Sequence, residues 1–155
     1  MSAGKVHRFA ATCAWWGSTA AGYEAYRRTH HATAPPAEAS LTLASAPEFR
    51  GDPSLVNPEQ LVVLAAASCQ LLSFLAVAAR ARIDVVRYDD DAEGVMPDDV
   101  EPMAISRITL RPRITVRGDV DGERLAHLCD VAHRECFVAN SLRTEVVVEP
   151  TFVRA

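Results

Sequence analysis

The chain has 155 residues, 49% hydrophobic and 23% charged, which is enough for one globular domain with a substantial core. Its net charge of -4 argues against nucleic acid as the main partner, because phosphate binding needs a concentrated positive face. Four cysteines do not form the framework of a small secreted protein, and the N-terminus has no apolar signal core. We expect a single domain over residues 1–155 in the cytoplasm, where a disulfide would be transient and functional.

The N-terminal third is predicted to contain short strands. Residues 6–16 are predicted to form a first strand that ends at a turn, and residues 23–28 a returning strand. Residues 30–36 and 47–53 are rich in turn-forming residues and enclose a short strand at residues 41–44.

A long apolar helix is predicted next. Asn57 is a good N-cap, Pro58 suits the first helical position, and Glu59 is favourable at the positive end of the helix dipole. Residues 61–79 carry no formal charge, close to the roughly 20 residues that cross a bilayer. Small and polar residues within the run, together with the capped start, favour a helix at the centre of a soluble fold, buried on nearly all sides.

The second half predicts strands around one more helix. Residues 83–89 are predicted to form a strand, followed by an acidic, solvated loop. The clearest strand is residues 107–117, where apolar residues alternate with arginine and threonine. A helix over residues 122–138 would place Cys129 and Cys136 on its inner face, and residues 145–153 form a last strand. This order predicts an α+β fold with a mostly antiparallel sheet.

Two segments resemble the OsmC/Ohr family of thiol peroxidases. One runs from Asn57 through Glu59 to Cys69, and the other is residues 133–141, which contain Cys136. Residues 23–30 and 49–53 also fit the OsmC-like branch, so the resemblance covers most of the chain. It implies an intertwined homodimer in which the sheets wrap around the central helix, with two active sites at the subunit interface.

The resemblance also implies a reaction. Cys69 would be the peroxidatic cysteine, which attacks a hydroperoxide and becomes a sulfenic acid, and Cys136 would resolve it to a disulfide. A small dithiol such as dihydrolipoamide, or a lipoylated protein, would then reduce the enzyme. The aromatic residues favour an organic hydroperoxide as substrate. We expect no cofactor or metal, and neither nucleic acid nor a membrane as partner.

Activation of Cys69 requires a positive charge, because only a thiolate is nucleophilic and a free cysteine is mostly protonated at neutral pH. Cys69 lies too far beyond Asn57 for the helix dipole to act on it. In the family an arginine of the N-terminal hairpin, held by the glutamate at the helix start, supplies this charge. The match falls on Arg28, with Arg27 as the alternative, and Glu59 is the glutamate.

The distance between Glu59 and Cys69 along the predicted helix connects the active site to the proposed dimer. Ten helical residues span roughly 15 Å, so Glu59 cannot reach Cys69 along one straight helix. A partner chain is the simplest source of the glutamate and arginine that would flank the thiol.

Other interpretations remain open. His127, Cys129, His133 and Cys136 could hold a metal if they lay on one helix. A non-catalytic redox sensor or ligand-binding relative could keep the same fold, and the arginines of residues 107–117 could contact its partner. Cys13 and Cys129 match no family role and are expected to serve packing. Phe137 replaces the proline that follows the resolving cysteine in many relatives, which fits the OsmC-like branch.

Overall fold

The computed structural model describes residues 4–155 and has the mixed helix and sheet content that the sequence predicts. The chain forms two compact units, one reaching Pro58 and the other beginning at Glu59. The first three residues of the segment interpreted as lacking a signal core lie outside the described residues. The assignment of residues 1–155 to a single domain stays a prediction.

The first unit is a three-stranded antiparallel sheet. Its strands are β1 (Thr12–Ala14), β2 (His30–Thr33) and β3 (Ser40–Leu43), in the order β1-β2-β3. The strand predicted at 41–44 is confirmed to within one residue, whereas the strand predicted at 6–16 shrinks to β1.

The returning strand predicted at residues 23–28 is wrong. One turn ends at Gly22, whose N–H donates to the Thr19 carbonyl, and a second runs from Gly22 to Ala25, whose N–H donates to the Gly22 carbonyl. Gly22 has a φ of 88°, which is readily available to glycine and permits the reversal. The strand that returns is therefore β2, in a stretch predicted to be a turn.

Helix α1 (Pro58–Arg80) begins at the predicted residue. Its buried residues, Ala66, Gln70, Phe74, Val77 and Ala78, recur every three or four positions and define one face. Leu64 and Leu72 on other faces are 61% and 63% exposed, so burial on nearly all sides is wrong for the single chain. With a mean hydropathy of 2.3, α1 also meets the length and composition of a membrane span, as core helices of soluble proteins do.

The second unit contains six strands in two sheets. They are β4 (Asp84–Asp90), β5 (Glu93–Val95), β6 (Arg107–Leu110), β7 (Pro112–Arg117), β8 (Glu145–Val148) and β9 (Thr151–Arg154). The sheets have the orders β4-β7-β9 and β5-β6-β8. The β4-β7 and β5-β6 pairs are antiparallel and the β6-β8 and β7-β9 pairs parallel. Antiparallel pairs thus predominate among residues 4–155, as predicted.

Two predicted strands are each divided between the sheets. The strand at 107–117 breaks at Arg111. Its alternation holds except at Thr109, which is buried together with Ile108, Leu110, Ile114 and Val116. The strand at 145–153 breaks before Thr151, where Pro150 has no N–H for a sheet hydrogen bond. The predicted acidic loop is also partly wrong, because β4 extends to Asp90.

Two helices follow β7, where one was predicted. Helix α2 (Gly122–Arg134) begins after Asp121, whose carboxylate accepts from the Glu123 N–H, and helix α3 (Phe137–Ser141) follows a short turn. Cys129 and Cys136 are both buried, but Cys136 lies in the turn and not in α2. Phe74 of α1, Ile114 of β7 and Leu125 of α2 lie in one core cluster of the second unit.

Candidate active site

The two cysteines that the resemblance pairs are neighbours in the second unit. Cys69 lies on α1 and is half-buried, while Cys136 is buried at the turn between α2 and α3. The Cys69 side chain lies close enough to the Cys136 thiol to raise the pKa of Cys136. Both are free thiols, so the two cysteines form a reduced pair in which the Cys69 side chain is more accessible to solvent than the Cys136 side chain.

The turn gives the Cys136 sulfur its surroundings. The last bonds of α2 run from the Glu135 N–H to the Val131 carbonyl and from the Cys136 N–H to the His133 carbonyl. Cys136 then adopts φ -71° and ψ 106°, an extended conformation, and becomes the N-cap of α3. There its sulfur lies near the N–H groups of Ala139 and Val138, which lower the pKa of the Cys136 thiol. These are N–H groups that an N-terminal helical turn leaves without an internal partner.

Opposing influences act on the Cys136 thiol. Burial raises its pKa, and the hydrogen bond and charge of Cys69 raise it further, whereas the N–H groups of Ala139 and Val138 lower it. The thiol is therefore protonated near neutral pH and can donate to Cys69. The nearby N–H groups of α3 favour the thiolate once the proton is lost.

Cys129 has a different environment. It lies within α2, where the Gln70 amide donates to its carbonyl at 3.5 Å and to its sulfur at 3.8 Å. Burial raises the pKa of the Cys129 thiol to about 11. This supports a packing role for Cys129. The same expectation is wrong for Cys13, which is exposed on β1.

Arg28 is held within the first unit. Its guanidinium donates to the Tyr26 carbonyl at 2.8 Å and to the Tyr23 carbonyl at 2.6 Å. It also lies 4.0 Å from the ring centre of Tyr26 and 4.7 Å from that of Tyr23. The alternative, Arg27, has an exposed side chain and contributes only its carbonyl, to the Trp15 indole N–H at 2.7 Å. The Arg28 guanidinium therefore makes more contacts within this unit than the Arg27 side chain.

Both arginines line an open depression of about 490 Å³ in the first unit. Arg50 and Asp52 also line it. Arg50 forms an ion pair with Glu24, so part of the positive charge around the depression is already balanced.

Glu59 lies at the start of α1 with a carboxylate oxygen that lacks a partner. Its Oε2 is shielded from solvent and has no hydrogen bond among residues 4–155. A buried carboxylate oxygen favours a charged donor, and a guanidinium matches it in geometry and charge. The structure thus brings Cys69 and Cys136 together. Arg28 instead contacts Tyr23 and Tyr26, and one carboxylate oxygen of Glu59 has no hydrogen bond among the described residues.

Two other sequence hypotheses have weaker support. Three of the four arginines of residues 107–117, Arg107, Arg111 and Arg117, pair with Glu145, Glu93 and Asp84, so most of the positive charge on this strand is balanced. Within residues 4–155, no three His, Cys, Asp or Glu side chains are placed to hold a metal. The metal set proposed on one helix is wrong because Cys136 lies outside α2.

The sequence analysis missed polar residues behind the thiols. Gln70 is fully buried next to Cys69 in the chain, and Tyr88 packs against Phe74 with ring centres 6.1 Å apart. Burial raises the pKa of Tyr88, and the charges of Asp90, Cys129 and Cys136 also raise it. A glutamine inside an otherwise apolar helix was the available signal. Nothing local marked Tyr88, which reaches the cysteines only through the folding of β4 onto the helices.

Comparison with known proteins identifies the class to which this fold and thiol pair belong. The family model for OsmC-like protein matches residues 51–151. The chain belongs to the OsmC-like protein family. The resemblance to the OsmC/Ohr family is therefore confirmed, and so is the OsmC-like α+β fold.

Particular relatives are similar over most of the chain. The uncharacterized protein YmaD of Bacillus subtilis (strain 168) is 25% identical over 113 residues, covering 70% of this chain and 75% of YmaD. The structure of an OsmC-like protein of unknown function from Vibrio cholerae is 26% identical, with a TM-score of 0.84 over 94% of this chain and 100% of that one.

A third structure shares the fold at lower identity. An organic hydroperoxide resistance protein OsmC from Legionella pneumophila is 19% identical and superposes with a TM-score of 0.69, covering 96% of this chain and 98% of that one.

Proposed function

We propose that this protein is a cytoplasmic cysteine-based peroxidase that reduces organic hydroperoxides through Cys69 and Cys136. The observation that carries the proposal is the proximity of these two free thiols, one half-buried and the other buried. The family supports it, because similar structures include proteins named for organic hydroperoxide resistance.

The chemistry proceeds in three steps. The Cys69 thiolate attacks one peroxide oxygen, the O–O bond breaks, and the products are Cys69 sulfenic acid and an alkoxide that takes up a proton to become the alcohol. The Cys136 sulfur then attacks the Cys69 sulfur, forming the disulfide, and the displaced hydroxide leaves as water with the Cys136 proton. A dithiol such as dihydrolipoamide, free or protein-bound, reduces the disulfide by exchange and is itself oxidised to a disulfide.

The proposal includes a homodimer. The exposed leucines of α1, Leu64, Leu72 and Leu75, form apolar surface on a helix expected to be central. The shielded Oε2 of Glu59 needs a cationic donor, which Arg28 can supply. In the proposed dimer these residues act across the interface, so that the arginine stabilises the Cys69 thiolate while the glutamate holds the guanidinium.

One experiment tests the central claim. The reduced protein is treated with one equivalent of cumene hydroperoxide and analysed by peptide mass spectrometry. We expect a Cys69–Cys136 disulfide, and a trappable sulfenic acid at Cys69 in Cys136→Ser. Cys129→Ser is the matched control and should form the same disulfide as the wild type. A disulfide through Cys13 or Cys129, or an unreacted Cys69, would contradict the assignment.

The same thiol pair also fits a non-catalytic redox sensor, since a reversible disulfide needs only two neighbouring thiols. Turnover separates the two functions. A peroxidase consumes many equivalents of hydroperoxide in the presence of dihydrolipoamide, whereas a sensor is oxidised once and is reduced only slowly.

A further inference from the structure

The turn that carries Cys136 is closed by one side chain. The Asn140 amide Nδ2 donates to the Arg134 carbonyl at 2.9 Å, and the Asn140 backbone N–H donates to the Cys136 carbonyl at 3.0 Å. Arg134 is the last residue of α2, where the helix has no N–H to offer its carbonyl. Asn140 thus binds the chain on the α2 side of Cys136 and at Cys136 itself.

We propose that Asn140 is a positioning residue that holds the Cys136 thiol against Cys69 and so promotes disulfide formation between them. The role in catalysis rests on the proposed peroxidase function. Two groups react only after the turn that carries one of them is ordered, and this ordering costs conformational entropy. In a turn already fixed by hydrogen bonds, that entropy is lost on folding and no longer adds to the barrier of the reaction.

Packing fixes only part of the turn, through the buried Cys136 and through Val138, which packs against the core cluster of Ala66, Ile108 and Leu110. Arg134, Glu135 and Phe137 are exposed, and Phe137 is 81% exposed although it follows the buried Cys136 directly. Hydrogen bonds therefore have a larger share in fixing this segment than they have in the core.

Other contacts near the turn do not span it in the same way. The Ser141 hydroxyl donates to the Phe137 carbonyl at 2.7 Å, entirely within α3. The Arg80–Glu135 ion pair joins α1 to the turn, but both side chains are exposed, and such pairs contribute little. Among the hydrogen bonds of the described residues, the Asn140 side chain is the one that links α3 to the end of α2 across Cys136.

The test measures the effective concentration of the Cys69–Cys136 pair by equilibration with glutathione redox buffers. Asn140→Ala should lower it about threefold to tenfold, the range set by one hydrogen bond. Asn140→Asp keeps the size but puts an acceptor opposite the Arg134 carbonyl, and should lower it at least as much. Ser141→Ala, which removes a hydrogen bond confined to α3, should stay within about twofold of the wild type.

A kinetic measurement gives a second readout. After a pulse of hydroperoxide, Asn140→Ala should form Cys69 sulfenic acid at the wild-type rate but convert it to the disulfide about threefold to tenfold more slowly. Effective concentrations of both Asn140 variants within twofold of the wild type would overturn the proposal. So would an equal loss in Ser141→Ala, or unfolding of both variants by circular dichroism, since either would indicate general damage.

Failure of the proposed function gives a different result. In that case wild-type Cys69 does not react with hydroperoxide, while the glutathione equilibrium still ranks the variants.

Discussion

Cys129 and Cys136 are similarly buried, at 2% and 1% exposure, yet they have different chemical surroundings. Cys129 lies within α2 in the apolar core, where helical hydrogen bonds occupy the backbone N–H groups and the Gln70 amide donates to its sulfur at 3.8 Å. Cys136 lies in a turn, where Cys69 raises the pKa of its thiol and the N–H groups of Ala139 and Val138 lower it. Burial alone therefore does not distinguish a packing cysteine from a reactive one, and the local backbone does.

The largest expected effect comes from replacing each of the two cysteines, in separate variants, by serine. Cys136→Ser should lower dihydrolipoamide-dependent hydroperoxide turnover by at least about 100-fold, because the sulfenic acid loses its neighbouring thiol. Cys129→Ser should stay within about twofold, because its thiol takes no part in the exchange. Initial rates with cumene hydroperoxide give both values. Equal losses of turnover in the two variants would contradict the distinction between a reactive Cys136 and a packing Cys129.

A smaller effect is expected at the two arginines. Arg28→Ala should slow Cys69 oxidation about tenfold or more, the range for a lost hydrogen bond to a charged group. Arg28→Lys should recover only part of the rate, because an ammonium lacks the planar fork. Arg27→Ala is the matched control. Stopped-flow oxidation by hydroperoxide gives the rates. Slowing in Arg27→Ala alone would move the role to that residue, and no slowing in either would argue for a non-catalytic relative.

The burial of Cys129 should make the free energy of unfolding depend on pH in the alkaline range. Burial raises the pKa of the Cys129 thiol from 9.0 to about 11 in the folded chain. The unfolded chain therefore loses this proton first, and the free energy of unfolding should fall as the pH rises from 9 towards 11, by about 2 kcal/mol. Cys129→Ala should lack this component. Urea unfolding at pH 8 and pH 10.5 measures it, and parallel pH profiles in both proteins would contradict the assignment.

The smallest expected effect concerns the turn itself. Phe137 occupies the first position of α3, where proline is well tolerated, and the extended Cys136 has the conformation preferred before proline. Phe137→Pro should therefore raise the free energy of unfolding by about 0.4–1 kcal/mol, through a less flexible unfolded chain. Phe137→Ala controls for the lost ring. Destabilisation by proline relative to alanine would show that the turn needs conformational freedom at this residue.

Local sequence signals predicted the features that depend on neighbouring residues. The start of α1 follows from Asn57, Pro58 and Glu59, because capping acts within one helical turn. The buried alternation from Ile108 to Val116 follows from the two-residue period of a strand. The resemblance carried by Glu59, Cys69 and residues 133–141 pointed to the family, which the family model confirms.

Contacts between distant residues decided the rest. The division of two predicted strands between two sheets depends on which distant strands they pair with. The residues around Arg111 carry no local pattern that predicts this division. The end of α2 at Arg134 places Cys136 in a turn bridged by Asn140, although the apolar spacing continues to Val138.

The sequence by itself determined the fold class, the start of α1 and the identity of the two candidate thiols. Only the tertiary structure showed that the Cys136 thiol lies next to Cys69 at the start of α3, and that Cys129 is buried against Gln70. The physical reason is that capping and periodicity act over a few residues. The environment of a sulfur atom is instead set by which distant segments pack around it.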